Sequence, residues 1–355
     1  MASFAFVAGV LVTTVSSGDV SCYERWVSAA RRILLAVALC LAVAGCARAS
    51  AGPALSFTAP LRRADLGARL AVVGDTQRNP SFLGLGSNDI ERRSLLQAIA
   101  EASPDLVAFT GDVVYEGASA DDWRYFEVLS QPLRDRRVSV VAALGNHEYQ
   151  GEHGRGEEQF FAHFPLVARR RWYQIAFGPV RLLFLDSVDG ELPPGAWEEQ
   201  RAWYEATLAA DDADDDVRGV VVLAHHPPYT NSTVTEDEDH VKRAFVPALL
   251  RSRKALAYLS GHVHNYERFM RGGKMFVVSG GGGGPRASLD LGATRRHGDD
   301  LYVGPALRAF HFTLYTLTAS GLTAEVRGLR AGAFTTMDRF ELPFPSRPAP
   351  AGHGE

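Results

Sequence analysis

The sequence predicts an α/β fold with two sheets, on three observations. Short apolar runs repeatedly end on a glycine and a polar residue: Leu70–Val73 before Gly74-Asp75, Leu106–Phe109 before Gly111-Asp112, and 138–144 before Gly145-Asn146. Stretches with helical spacing separate them, as at 90–102, where Leu95, Leu96 and Ile99 share one stripe. A later group of β-rich runs (276–278, 311–317 and 322–326) reads as strands of a second sheet. Continuous apolar runs are the signature of strands buried on both faces. In such folds the chemistry sits where strands end and loops project.

Taken in order, residues 1–46 read as a leader, 47–68 as a small-residue tether, 69–344 as one domain and 345–355 as a disordered Pro-rich tail. Within the domain, strands at 70–73, 106–109 and 138–144 come first. The runs 173–177 and 180–185 flank Gly178-Pro179 as a hairpin. Strands at 220–223 and 255–259 end at His225-His226 and at Gly261-His262. Ala319-Ser320-Gly321 joins the last two β-rich runs. The acidic run Asp211–Asp216 reads as a solvated loop, since it lacks the glycine and terminal glutamate of a calcium-binding loop. No internal repeat is visible. Five strands ending in candidate ligands imply one site collected at one sheet edge.

Composition sets bounds. The 355 residues are 46% hydrophobic and 22% charged with net charge −4, ordinary globular values. The weak acidity offers no basic stripe to recruit nucleic acid. Arg31-Arg32 precedes an apolar run at 33–44 and then Gly45-Cys46, a pattern too short for a membrane span and right for an export signal. Val43-Ala44-Gly45-Cys46 resembles a bacterial lipobox, which would diacylate Cys46 and tether the domain to a membrane facing the periplasm or exterior. Cleavage after Ala47-Arg48-Ala49 is the alternative. The signal lies deep in the chain, which fits a start downstream of Met1. Cys22, Cys40 and Cys46 are the only cysteines, so nothing after residue 46 can form a disulfide.

Four segments carry the chemistry: Gly111-Asp112-Val113-Val114-Tyr115, Gly145-Asn146-His147-Glu148, His225-His226-Pro227-Pro228-Tyr229 and Gly261-His262-Val263-His264. Gly74-Asp75-Thr76-Gln77 is a weaker fifth. Hydrolysing a phosphate ester near neutral pH needs an acidified water and positive charge on the phosphoryl oxygens, which two ions roughly 3.5–4 Å apart supply. A carboxylate, imidazoles and an amide oxygen are the donors such a pair wants. His153, His163, His240, His297, His311 and His353 stand outside any motif.

This ordered set resembles the calcineurin-like metallophosphoesterase superfamily over roughly residues 70–342, with features of its purple-acid-phosphatase-like branch. The resemblance implies an αββα sandwich of two sheets. It implies that Asp112 bridges two ions, that Asp75 and His264 bind the first, and that Asn146, His225 and His262 bind the second. A hydroxide held between the ions would attack phosphorus, and His147 would serve as clamp or general acid, with Glu148 hydrogen-bonded to it. His225 fits the His-x-Pro spacing. His226 is then either a phosphate contact or a packing residue.

Two departures stand out. Gln77 occupies a position where many members carry histidine, and a related branch shows Asp-x-Gln. Tyr115, three after Asp112, has the spacing at which purple acid phosphatases place a tyrosinate on ferric iron; it is either that ligand or a packing residue. The metals would be iron with zinc, manganese or a second iron, or two divalent ions such as manganese. Arg286, after the run Gly280–Gly284, either lines the site on phosphate or lies in a flexible turn. The implied function is hydrolysis of phosphomonoesters, small or phosphoprotein-borne. Phosphodiesters, including cyclic nucleotides, are one alternative, and a non-catalytic lipoprotein binding metal or phosphate is another.

Overall fold

The apolar runs form strands that pair through their backbone N–H and C=O groups, and the pairing yields two six-stranded mixed sheets. The computed structural model describes residues 55–78 and 87–346. The chain divides into two units, 1–52 and 53–355, of which only the second has described residues. The leader, with Cys46 and its cleavage site, therefore lies outside the described residues, as does the tail from 347.

In the first sheet β1 (Arg69–Val73), β2 (Leu106–Phe109) and β3 (Ser139–Ala142) run parallel. On the other side of β1, β10 (His311–Thr318), β11 (Gly321–Arg330) and β12 (Ala333–Pro343) follow in antiparallel pairs. The second sheet contains β4 (Tyr173–Phe177), β5 (Val180–Phe184), β6 (Gly219–Leu223), β7 (Ala255–Ser260), β8 (Tyr266–Arg271) and β9 (Lys274–Ser279). Its order is β4-β5-β6-β7-β9-β8, with β4 and β5 the hairpin expected around Gly178-Pro179.

Period-two alternation assigns the faces. Val221 and Leu223 of β6 point into the core shared with the first sheet, alongside Leu70, Val72, Tyr315 and Leu317. Val220 and Val222 point the other way, onto Tyr204 and Leu208 of α5 (Ala196–Ala213) and Phe245 and Leu249 of α6 (Asp239–Arg251). The first sheet has its own helices: α1 (Asp89–Glu101) contributes Leu95, Leu96 and Ile99, and α2 (Ala120–Leu129) contributes Trp123 and Phe126. Helix, sheet, sheet and helix stack as an αββα sandwich. Two short segments, α3 (Gln131–Asp135) and α4 (Arg155–His163), complete the described α-helices.

The structure corrects three expectations. The runs at 276–278 and 311–326 do not share a sheet: the first is in β9, beside β7, and the second forms β10 and β11, beside β1. Strand propensity encodes extended backbone and leaves the partner open. The described part of the expected tether lies on the domain, because Phe57 is 1% exposed and stacks on Phe164, while its N–H donates to His163 O at 2.9 Å. The acidic run is only partly a loop, since α5 extends to Ala213. Within it, Asp211 takes a bond from Gln174, and Asp212 accepts the Arg253 and Lys254 N–H groups.

Candidate metal centre

The expected site gathers at the C-terminal ends of strands from both sheets rather than at the edge of one. The loop after β1 is tied to the loop after β2 by Asp75 N–H donating to Gly111 O (3.1 Å) and Gln77 N–H to Asp112 O (3.0 Å). Within the second sheet, Gly261 N–H donates to His225 O (2.9 Å), and across the sandwich His262 N–H donates to Asp75 Oδ1 (2.9 Å). Asp75, Asp112 and His262 all adopt left-handed backbone, with φ of 62°, 52° and 66°. Each non-glycine residue there costs about 1 kcal/mol or more, and such strain concentrates where a side chain must be aimed.

The glycines preceding the ligands are there for close approach. A Cβ at Gly145 would lie 2.2 Å from Asp112 Oδ1, and one at Gly261 would lie 2.5 Å from Asp75 Oδ2. The recurring Gly-ligand dipeptide thus lets one loop seat its carboxylate against the backbone of the next.

Two donor groups result. Asp75, Asp112 and His264 bring ligand atoms within 4.8 Å of one another, and so do His225, His226 and His262. Asn146 Oδ1 joins the second group, 3.0 Å from His225 Nε2 and 3.1 Å from His262 Nδ1. Asp112 Oδ2 is 3.2 Å from His225 Nε2, so this carboxylate faces both groups.

The tautomers follow from the neighbours. His225 Nδ1 donates to Thr110 O (2.9 Å) and His264 Nδ1 to Pro285 O (2.7 Å), which leaves both Nε2 lone pairs aimed inward. His262 is turned the other way: Nδ1 faces the cluster and Nε2 lies 3.8 Å from Glu238 Oε1. His225 Nε2, His262 Nδ1 and Asn146 Oδ1 are thus acceptors converging within 3.1 Å, an arrangement that only a shared proton or a cation relieves. Imidazole nitrogen, carboxylate and amide oxygen suit borderline transition-metal ions, so the donors fit a two-ion centre.

The electrostatics say the same. Burial works to raise the Asp112 carboxyl, but His225 and His147 hold it well below the usual range. Burial works against a charged His225, yet Asp112 and Asp75 push it up to about 10. Burial and the His225 charge press His226 down to about 3, and burial with both neighbouring imidazoles presses His262 well below its ordinary value. The pocket wants positive charge and cannot spread it over all its imidazoles.

Gln77 and Tyr115 part company here. With its nitrogen donating to the Asp75 and Asp112 carbonyl oxygens (3.2 and 2.9 Å), the Gln77 amide sets Oε1 3.2 Å from the His264 Nε2 lone pair, a further pair of acceptors that a cation relieves. Gln77 therefore lies among the first group. The Tyr115 ring instead lies against the His147 ring, with centroids 4.9 Å apart. His147 Nδ1 donates to Tyr115 O, its N–H donates to Asp112 Oδ1 (2.9 Å), and Nε2 is left 3.9 Å from Asp112 Oδ2.

Two expectations are corrected. Glu148 does not reach the His147 ring. It is fully buried and accepts the N–H groups of Asp112 (2.9 Å), Val113 (2.8 Å), Val114 (3.4 Å) and Gly145 (2.7 Å). Burial and the Asp112 charge push its carboxyl up to about 7, while those N–H donors pull it down. Arg286 does not turn to the ligands. Its guanidinium is 4.9 Å from the Phe310 ring centre and donates to Arg308 O (3.4 Å). The glycine run before it is close-packed rather than a flexible turn: Gly282 and Gly284 donate to Gly74 O and Asp75 O, both at 2.9 Å.

His226 borders the second group, its Nδ1 2.9 Å from Ser187 Oγ. Sequence reasoning missed the residues behind it. Glu238 links His262 to His240, at 3.3 Å from His240 Nδ1, and His240 Nε2 is 3.0 Å from Ser187 O. Glu238 lies in an acidic run with no motif around it, so no spacing singled it out.

Comparison with known proteins shows the family. The calcineurin-like phosphoesterase family model matches residues 68–266, and the chain belongs to that family. Purple acid phosphatase 22 of Arabidopsis thaliana is 27% identical over 238 residues, covering 62% of this chain and 49% of that protein. A probable cyclic nucleotide phosphodiesterase of Moraxella catarrhalis is 26% identical over 207 residues, 55% of this chain and 68% of that protein. The solved purple acid phosphatase PPD1 of yellow lupin seeds superimposes with a TM-score of 0.62 at 21% identity, covering 79% of this chain and 54% of that one. The chain spans about half the length of the Arabidopsis relatives it matches, and within the family it resembles their purple-acid-phosphatase branch.

Proposed function

We propose that this protein hydrolyses phosphate esters, phosphomonoesters foremost, at a two-metal centre. One observation carries the reading: the Asp112 carboxylate faces both donor groups, as a ligand shared by two ions must. Asp75, Asp112, His264 and Gln77 Oε1 would hold the first ion, and Asp112, Asn146, His225 and His262 the second. Ions bound there supply positive charge to the phosphoryl oxygens and acidify water near neutral pH.

The protein's own groups do the rest. The Tyr115 carbonyl fixes the Nδ1 proton of His147, so Nε2 is the nitrogen that can carry a proton to the leaving oxygen. His226, whose Nδ1 donates to Ser187 O (3.1 Å), would meet a phosphate oxygen through Nε2 only with its ring protonated. Similarity to purple acid phosphatases supports monoesters, while the likeness to a probable cyclic nucleotide phosphodiesterase supports diesters as the second reading. Assaying both ester classes side by side separates them. Asp112→Asn is expected to lose bound metal and turnover together; a variant retaining both ions and near-normal rate would refute the bridging role. We further propose, from Val43-Ala44-Gly45-Cys46, that the protein is exported and lipid-anchored at Cys46.

A further inference from the structure

Away from the metal centre, Arg169, Arg170, Arg171, Trp172 and Trp203 line a surface cleft of about 390 Å³. Arg171 is committed: it pairs with Glu157 at 2.8 Å and lies 5.7 Å from the Tyr149 ring centre. Arg169 and Arg170 are exposed, and neither has a carboxylate partner among the ion pairs of the described residues. The Arg169 guanidinium rests on the Phe161 ring, 5.3 Å from its centre. Ala168 and Arg169 both have left-handed backbone, with φ of 52° and 56°. Ala168 is the left-handed cap of the turn Pro165–Val167, and Arg169 continues that conformation.

We propose that this Arg-Trp face seats the domain on an anionic lipid bilayer. Arginine beside half-buried tryptophan is the composition of a surface that sits at the headgroup level, the rings in the interface and the guanidiniums on phosphate. The position of the face agrees. Phe57 enters the domain on His163 and Phe164, and a single short turn, Pro165–Val167, separates that entry from Arg169. Cys46 precedes Leu55 by nine positions (55 − 46), a length of chain that spans at most about 30 Å. For the bilayer's position alone, the inference rests on the lipid-anchored reading above. An anchor at Cys46 would hold this face within reach of the membrane.

The test uses the full chain carrying Cys46→Ser, so that acylation contributes nothing. It is sedimented with vesicles of phosphatidylcholine alone or mixed with phosphatidylglycerol. Partition onto the mixed vesicles is expected to be stronger and to weaken with added salt. Each cation near an anionic surface strengthens partition about fivefold, so adding Arg169→Gln with Arg170→Gln should weaken it roughly 30-fold. An unchanged thermal midpoint shows that the variant is folded. Partition that ignores the two arginines, or ignores the anionic lipid, overturns the proposal. So does binding of soluble polyphosphate in preference to vesicles. Palmitate labelling of the wild-type chain reports on the anchor separately: without it the anchor falls, while arginine-dependent partition keeps the face.

Discussion

Glu148→Gln is the substitution that best tests how the metal loops are held. In the native chain Oε1 accepts from Val113 and Val114, and Oε2 from Asp112 and Gly145. Glutamine is the same size but has one acceptor oxygen, so its NH₂ must face two of those N–H groups. Two buried donors are orphaned at about 1–3 kcal/mol each, a loss of roughly 2–6 kcal/mol from a folding free energy of about 5–15 kcal/mol. Urea unfolding of chelated protein measures this without any contribution from bound ions. Because burial raises the folded pKa of Glu148 to about 7, its proton-linked stability is complete below the ordinary carboxyl value and is lost as pH rises toward 7. Glutamine does not titrate, so the wild-type advantage is smallest near pH 8, and a loss measured there is a lower bound. A variant within about 0.5 kcal/mol of wild type at unchanged m would refute the reasoning.

Two further outcomes are expected. If Gln77 is the ligand, metal-loaded protein is colourless, and Gln77→His tightens the first site, since imidazole is the better donor for borderline ions; a visible band bleached by Tyr115→Phe would reverse that assignment. Asp237 is half-buried, and against that burial its bonds from His297, Lys242 and the Thr230 N–H hold its carboxyl well below the usual range. A lowered folded pKa means stability present above the unfolded value and lost as pH falls. Asp237→Asn should therefore be less stable than wild type at neutral pH, with the gap closing in acid, as followed by urea midpoints from pH 7 to 3; a gap that widens in acid contradicts the pairing.

Residues close in sequence, or repeated in one pattern, made the ligands legible. Gly74-Asp75, Gly111-Asp112, Gly145-Asn146 and Gly261-His262 each follow an apolar run, and the structure brings all four to one place. The strands themselves were legible for the same reason, because a buried strand must be apolar on every residue. Glu148 and Arg286 were misassigned from their nearness in sequence to His147 and to the glycine run. Neighbouring residues on a tight loop point in different directions, and a carboxylate beside four N–H donors goes to them before it goes to a half-exposed imidazole.

The sequence by itself determined the inventory of candidate ligands and the run of strands, since both are fixed by residue type and short spacing. Tertiary structure alone decided which strands pair, because β10 joins β1 rather than β9 through contacts between residues more than two hundred positions apart. It also decided where the side chains of Gln77, Tyr115 and Glu238 lie. Whether an amide, a phenol or a carboxylate meets a metal ligand depends on loop backbone from both sheets, and that geometry exists only once the sandwich has closed.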